Sequence, residues 1–126
     1  MTADADLRLI RASERTTDTQ RTSGMTREVA IAKEGLWAAF VRTAPGMASG
    51  WHHHGAYETA IYVISGRARF EFGGGGRNAI DARAGDFVHV PPGAVHRESN
   101  PDRSEGAIVV VRAGTGAPNV NVEGPA

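Results

Sequence analysis

The chain has 126 residues, a length typical of one compact domain, and its 14 basic residues balance its 14 acidic residues. This balance argues against binding to nucleic acid or to an anionic membrane surface. The absence of cysteine excludes disulfides, thiolate metal sites and cysteine nucleophiles. The first ten residues (MTADADLRLI) show no signal segment, and the apolar runs are too short to span a membrane. A cytoplasmic location is therefore expected.

Glycine and proline divide the chain into short segments that mostly alternate apolar and polar residues, the pattern of half-buried β-strands. In chain order, the predicted strands cover residues 7–10, 28–32, 36–42, 59–65, 67–72, 77–83, 86–90, 107–111 and, more weakly, 120–122. Residues 13–24 are rich in Ser, Thr, Asp and Arg and are predicted to form a polar arm. No segment shows sustained helical periodicity, so an antiparallel sandwich or barrel is expected. We divide the chain into an N-terminal strand and polar arm (1–24) and a β-barrel domain (25–126).

Two glycine-containing connections separate some of these strands. A single glycine, Gly66, separates residues 59–65 from residues 67–72, which indicates a hairpin. The four consecutive glycines at 73–76 provide a permissive turn into residues 77–83. The connection at Gly66 therefore predicts antiparallel neighbours.

The strongest chemical signal is the run of three histidines at positions 52–54. Residues two apart in an extended chain project to the same side, so His52 and His54 can direct both imidazoles at one point. Neutral imidazole is a common ligand of Zn, Fe, Ni and Cu ions. A tag remnant or a surface cluster without a role would also contain consecutive histidines, but the internal position of this run, between Trp51 and Gly55, favours neither.

Two motifs surround these histidines and His96. The segment from Gly85 to Asn100 fits the pattern Gly-x5-Pro-x-Gly-x2-His-x3-Asn at every fixed position. The segment from residue 46 to residue 66 fits Gly-x5-His-x-His-x(3 or 4)-Glu-x6-Gly except in one spacing. The chain therefore resembles the cupin superfamily, in particular its small single-domain metal-binding members.

The resemblance implies an all-β fold, a single-domain cupin jelly roll in the form of an antiparallel double-stranded β-helix barrel. It also implies a divalent metal ion, which could be Fe, Mn, Ni, Zn or Cu. The implied ligands are His52, His54, Glu58 and His96. His96 is expected to reach the other two histidines from across the barrel.

The acidic ligand of the first motif has two possible positions. Glu58 lies at an allowed distance after His54, but seven residues separate it from Gly66, and a gap of six would select Thr59. Because neighbouring residues of a strand face opposite sides, this single residue decides which side chain faces the metal. The site is either three histidines with Glu58, the preferred interpretation, or three histidines completed by water.

The resemblance leaves the activity open, because cupins include dioxygenases, decarboxylases, epimerases, isomerases and ligand-binding domains. We expect a metal-dependent dioxygenase that acts on a small organic substrate. The alternatives are a non-enzymatic binding or sensing protein and a metal-dependent lyase or isomerase. Tyr62 and Arg97 are the candidate catalytic or substrate-contacting residues. A homodimer is also expected, in which residues 7–10 cover a sheet edge of the partner.

Overall fold

The computed structural model describes residues 6–18 and 22–124, and these residues form eleven β-strands in two antiparallel sheets. In chain order the strands are β1 (Thr16–Thr17), β2 (Met25–Lys33), β3 (Gly35–Thr43), β4 (His52–His53), β5 (Glu58–Ser65), β6 (Arg67–Phe72), β7 (Asn78–Arg83), β8 (Phe87–Val90), β9 (His96–Ser99), β10 (Gly106–Gly114) and β11 (Val120–Asn121). One turn of 3-10 helix, Ala12–Glu14, precedes β1, and the described residues contain no α-helix. The all-β prediction is confirmed. No described segment forms a helix able to cross a membrane.

The two sheets enclose an apolar core. The first sheet has the strand order β1-β2-β3-β10-β5-β8, and the second has the order β11-β4-β9-β6-β7. Alternation along each strand sends every second side chain inward, which β5 shows by burying residues 59, 61 and 63. Both sheets contribute to the core, whose buried members are Ala39, Val41, Ile61, Val63, Ala68, Phe70, Ala82, Val88, Val90, Ile108 and Val110.

The predicted hairpin across Gly66 is wrong. β5 pairs with β10 and β8, whereas β6 pairs with β7 and β9. The chain therefore changes sheets at Gly66, whose φ of 78° lies in the left-handed region that favours glycine. A Cβ atom at this position would lie 3.1 Å from the Cα of Gly106, so the corner also needs a residue without a side chain. The turn at residues 73–76 joins β6 and β7 as an antiparallel pair.

The predicted strand at residues 7–10 does not form. This segment pairs with no strand of the described chain, and Leu7 and Leu9 are 98% and 70% exposed. A strand without a partner is not stable in water, whatever its pattern. Part of the predicted polar arm instead joins the first sheet, because β1 pairs with β2 and places Thr16 opposite Val29. Residues 19–21 of the arm lie outside the described residues.

The strands β4 and β9 bring the two histidine motifs together. His52 on β4 is the direct Cα partner of His96 on β9. His96 therefore approaches from the neighbouring strand of the same sheet, and not from across the barrel as expected. The pairing places His52 and His96 side by side, and both are buried on the inner face of the second sheet.

Candidate metal centre

Three buried histidines converge on the inner face of the second sheet. His52, His54 and His96 are 6%, 5% and 3% exposed. Each ring offers one nitrogen, and these nitrogens all lie within 4.8 Å of one another. The ring centroids are 4.4–5.1 Å apart. His52 and His54 therefore direct their imidazoles at one point, as their spacing of two residues predicted.

A backbone carbonyl orients each of the three rings. The Nδ1 atoms of His52, His54 and His96 lie 2.9, 2.8 and 2.9 Å from the carbonyl oxygens of Gly50, Pro118 and Ala94, in that order. A carbonyl oxygen only accepts, so each Nδ1 carries the proton and each Nε2 keeps a lone pair. The Nε2 of His96 is buried without a hydrogen-bond partner, as a free ligand atom would be. The three residues therefore fit a divalent metal ion.

Burial keeps two of these imidazoles neutral. The pKa of His52 is lowered to about 4 and that of His54 to about 3, with burial as the largest cause in both. For His54 the second cause is the positive charge of Arg112. The neutral ring is the form that binds a metal ion, so His52 and His54 are in the competent form at neutral pH.

Glu58 lies outside this cluster, which corrects the preferred interpretation. It begins β5 on the outer face, its side chain is 61% exposed, and its Oε1 lies 2.7 Å from Nε2 of His89 in a hydrogen bond. The next residue, Thr59, faces the interior and is 1% exposed. The pairing of β5 with β10 is irregular only between Val63 and Ser65, too far along the strand to turn Glu58 inward. The geometry follows the three-histidine alternative.

The two candidate substrate residues also lie on outer faces. Tyr62 is 37% exposed, and its ring centroid lies 4.8 Å from that of Phe87. Arg97 forms an ion pair of 2.9 Å with Glu71, and its guanidinium lies over the ring of Trp51. Each follows an inward-facing residue by one position, so strand alternation turns both away from the histidines. Their predicted role at the site is therefore corrected.

Two arginines that the sequence analysis missed face the interior. Arg27 on β2 and Arg112 on β10 are 8% and 4% exposed. Arg112 is the direct Cα partner of Thr59 on the neighbouring strand. The signal was present in the sequence, because Arg112 lies two residues after the inward-facing Val110 and so continues the same face of the strand.

Glu98 on β9 is a further charged residue of the interior. It lies two residues after His96 and so shares its face of the strand. Burial raises the pKa of its carboxyl group, and the interaction with His96 and the positive charges of Arg27 and Arg112 oppose this rise. The carboxyl group therefore lies within electrostatic reach of both arginines and of the histidine cluster.

Two cavities adjoin the cluster from different sides. The first has a volume of about 200 Å³ and includes His96 in a largely apolar wall with Phe70, Phe72, Val88 and Val90. The second has a volume of about 360 Å³ and includes His52. Its wall is more polar and contains Thr22, Ser49, Asn119 and Asn121. The cluster therefore borders an apolar cavity at His96 and a more polar cavity at His52.

Comparison with known proteins identifies the family. The family model of the cupin domain matches residues 39–115, more than half of the chain. The chain therefore belongs to the cupin family, with three histidines placed where a metal ion can bind. No functionally curated protein matches the sequence.

Solved structures of low sequence identity share the fold. An uncharacterized conserved protein with a double-stranded beta-helix domain from Klebsiella pneumoniae is 24% identical with a TM-score of 0.73, and the match covers 94% of this chain and 99% of that one. The polyketide cyclase RemF from Streptomyces resistomycificus is 18% identical with a TM-score of 0.77, covering 93% and 86%. Oxalate decarboxylase from Bacillus subtilis, a protein with Mn(II) centres, is 22% identical with a TM-score of 0.69, covering 81% of this chain and 29% of the enzyme. At these identities the likeness establishes the fold alone.

Proposed function

We propose that this chain is a cytoplasmic metal-dependent enzyme, a dioxygenase that acts on a small organic substrate. The observation that carries the proposal is the common orientation of His52, His54 and His96, each with a proton fixed on Nδ1 and a lone pair on Nε2. Neutral imidazole ligands suit Fe, Ni, Zn and Cu ions. When bound, such an ion would polarise a substrate oxygen and, if redox-active, exchange electrons with dioxygen.

The donor set supports a site that remains open to substrate. With Glu58 on the outer face, the described residues of the cluster provide three ligands and no carboxylate. An ion with six coordination positions would therefore keep three of them for substrate and water. Two of these suffice for a substrate that binds through two oxygens, and one is left for a second reactant.

The apolar cavity beside His96 supports an organic substrate with an apolar body. Its volume of about 200 Å³ exceeds the ~150 Å³ of a protein cavity that accepts benzene. A single ring or a short branched chain therefore fits beside the histidines. Phe70 and Phe72 form part of the wall and provide the aromatic contacts that such a body favours.

An oxygen-uptake screen tests the proposal. The protein is reconstituted anaerobically with Fe(II) and screened over catechols, diketones, flavonols and hydroxy acids. We expect uptake that requires both metal and substrate and that is lost in His54→Ala. Saturable ligand binding without turnover would instead assign a binding or sensing protein.

A lyase, cyclase or isomerase is the second candidate, because a decarboxylase and a polyketide cyclase share the fold. In these reactions the metal would act only as a Lewis acid. Metal-dependent turnover of the same substrates without oxygen consumption would favour this candidate over a dioxygenase. The zinc-loaded protein provides the matched control, since zinc has no redox chemistry and would support only the second candidate.

A further inference from the structure

Six side-chain polar atoms in the described part of the chain are buried without a hydrogen-bond partner, and four of them belong to inward-facing residues. These four are Nε2 of His96, Oγ1 of Thr59, Nη1 of Arg27 and Nε of Arg112. Buried polar groups in proteins are nearly always hydrogen-bonded, so each exception needs a physical cause. A metal ion would account for His96 alone. The other three atoms belong to one hydroxyl group and two cations of the first sheet.

The two arginines are neighbours of the histidine cluster. Arg112 lies beside Thr59 in the sheet, and its positive charge is one cause of the lowered pKa of His52. The charge of Arg27 acts on both His52 and Arg112. Nη2 of Arg27 donates a 3.2 Å hydrogen bond to Oγ1 of Thr22, and Thr22 and His52 both line the polar cavity. This cavity is therefore lined both by a member of the histidine cluster and by Thr22, the hydrogen-bond partner of Arg27.

The burial of these cations is only partly compensated by negative charge, which comes from the carboxyl groups of Glu98 and Asp18. Neither guanidinium forms an ion pair within residues 6–18 and 22–124. Arg112 lies over the ring of Trp37, with its guanidinium carbon 4.4 Å from the ring centroid. Burial is the main cause that lowers its pKa to about 10, the charge of Arg27 adds to this, and the carboxyl groups of Glu98 and Asp18 oppose it. A buried cation is costly unless a negative group pairs with it.

We propose that Arg112, Arg27 and Thr59 form an anion-binding subsite beside the three histidines, and that the substrate binds there through a carboxylate or another acidic group. The two guanidinium N–H groups and the hydroxyl group donate to its oxygens. The three-histidine set contains no carboxylate, so a bound divalent ion adds two positive charges that an acidic substrate balances. The identification of this anion as the substrate rests on the proposed function, whereas the subsite itself does not.

Benzoate and benzamide are matched probes for this subsite, since the amide has nearly the same shape without the negative charge. Each is titrated into the metal-free protein by calorimetry, which measures the arginine subsite without an ion. We expect benzoate to bind at least about tenfold more tightly than benzamide, the difference that one or two charge-assisted hydrogen bonds produce. Equal affinity for the two probes, or no binding of benzoate, would overturn the proposal.

The variant Arg112→Met removes the charge and keeps a long apolar side chain. It should weaken benzoate binding at least about tenfold and leave benzamide binding unchanged. It should also raise the midpoint of thermal unfolding, because it removes a buried charge that has no ion pair among the described residues. A lower midpoint with unchanged benzoate affinity would assign Arg112 a structural role and overturn the proposal.

Two further variants complete the test. Arg69→Met removes an arginine that pairs with Asp81 on the outer face, and this control should bind benzoate as the wild type does. Arg27→Met should also weaken benzoate binding, and it replaces Arg112→Met if that variant does not fold. If Arg27→Met binds benzoate with wild-type affinity, and Arg112→Met does so too or does not fold, the subsite is overturned.

The test separates the subsite from the proposed enzyme. Arginine-dependent benzoate binding in a protein without any metal-dependent turnover would refute the enzyme and leave the subsite standing. Oxygen uptake with neutral substrates alone, in which benzoate does not compete, would refute the subsite and leave the enzyme standing.

Discussion

The backbone orients all three histidines for metal binding. A backbone carbonyl fixes the proton of each ring on Nδ1, and burial keeps His52 and His54 neutral. Ligands that are already oriented and neutral lose little rotational freedom and release no proton when an ion binds. The backbone segments that carry these carbonyls are therefore part of the site.

The lowered pKa values predict how the stability of the metal-free protein depends on pH. His52 and His54 have an ordinary value of 6.5 when unfolded and about 4 and 3 when folded. Below pH 6.5 these two histidines bind protons in the unfolded chain but not in the folded chain. Their contribution to the free energy of unfolding is therefore complete above pH 6.5, and it is lost as the pH falls towards the pKa values of the folded state. We expect the free energy of unfolding, measured with urea, to fall from about pH 6.5 to about pH 4. His54→Gln should show a smaller fall, and an equal fall in both proteins would contradict the assignment.

The outward position of Glu58 predicts that this residue does not contribute to metal affinity. Glu58→Ala should change the zinc affinity by less than about twofold, whereas Thr59→Glu, which places a carboxylate on the inner face, should raise it about tenfold or more. Thr59→Gln is the matched control, because it adds the same bulk without the charge. Competition with a zinc-binding dye measures all three variants. A large loss of zinc affinity in Glu58→Ala would show that Glu58 is a metal ligand and would contradict this prediction.

Strand pairing brings the histidine motifs together, and Asn100 anchors the end of β9. Its side chain is 1% exposed. Its Nδ2 donates to the carbonyl oxygens of Thr43 and Ser104 at 3.1 and 2.9 Å, and its Oδ1 accepts from the backbone N–H of Asp102 at 3.0 Å. This residue thus ties the turn after β9 to the end of β3.

Asn100→Leu should destabilise the protein by about 3 kcal/mol, since three hydrogen bonds of about 1 kcal/mol each are lost. Urea unfolding of the metal-free protein measures the change. Asn78→Leu, at the exposed start of β7, is the control and should change the free energy of unfolding by less than about 0.5 kcal/mol. A loss below about 1 kcal/mol in Asn100→Leu would show that water replaces these bonds.

The sequence predicted the histidine cluster well because a spacing of two residues in an extended chain determines a common face. It could not settle Glu58 against Thr59, since that choice depends on where β5 begins and on whether a bulge intervenes. The hairpin at Gly66 was wrong because one glycine serves equally for a tight turn and for a corner between sheets. Arg112 was missed because the predicted strand ended at Val111, one residue before it.

The homodimer remains a prediction, and the exposed apolar side chains of the first sheet and of residues 7–10 support it. Leu7 and Leu9 project from a segment without a partner strand, and Ile64 and Phe87 are 42% and 75% exposed on the first sheet. Residues 7–10 could pair with a sheet edge of a second copy of the chain and so cover that edge.

Light scattering at micromolar concentration should give the mass of two chains. The double variant Leu7→Ser with Leu9→Ser should shift this mass towards one chain, because the apolar side chains that a partner would bury are removed. Leu36→Ser, at another exposed apolar position, should leave the mass unchanged. A wild-type mass of one chain would contradict the dimer.

The metal content of the reconstituted protein tests the three-histidine site most directly. The wild type and His54→Ala are loaded anaerobically with Fe(II), freed of excess ion by gel filtration and measured by mass spectrometry of the metal. One ion per chain in the wild type, and less than about a tenth of this in His54→Ala, is the predicted result, since the loss of one of three ligands weakens binding far beyond the ~10–100-fold effect of an outer partner. Equal metal content in the two proteins would contradict the site.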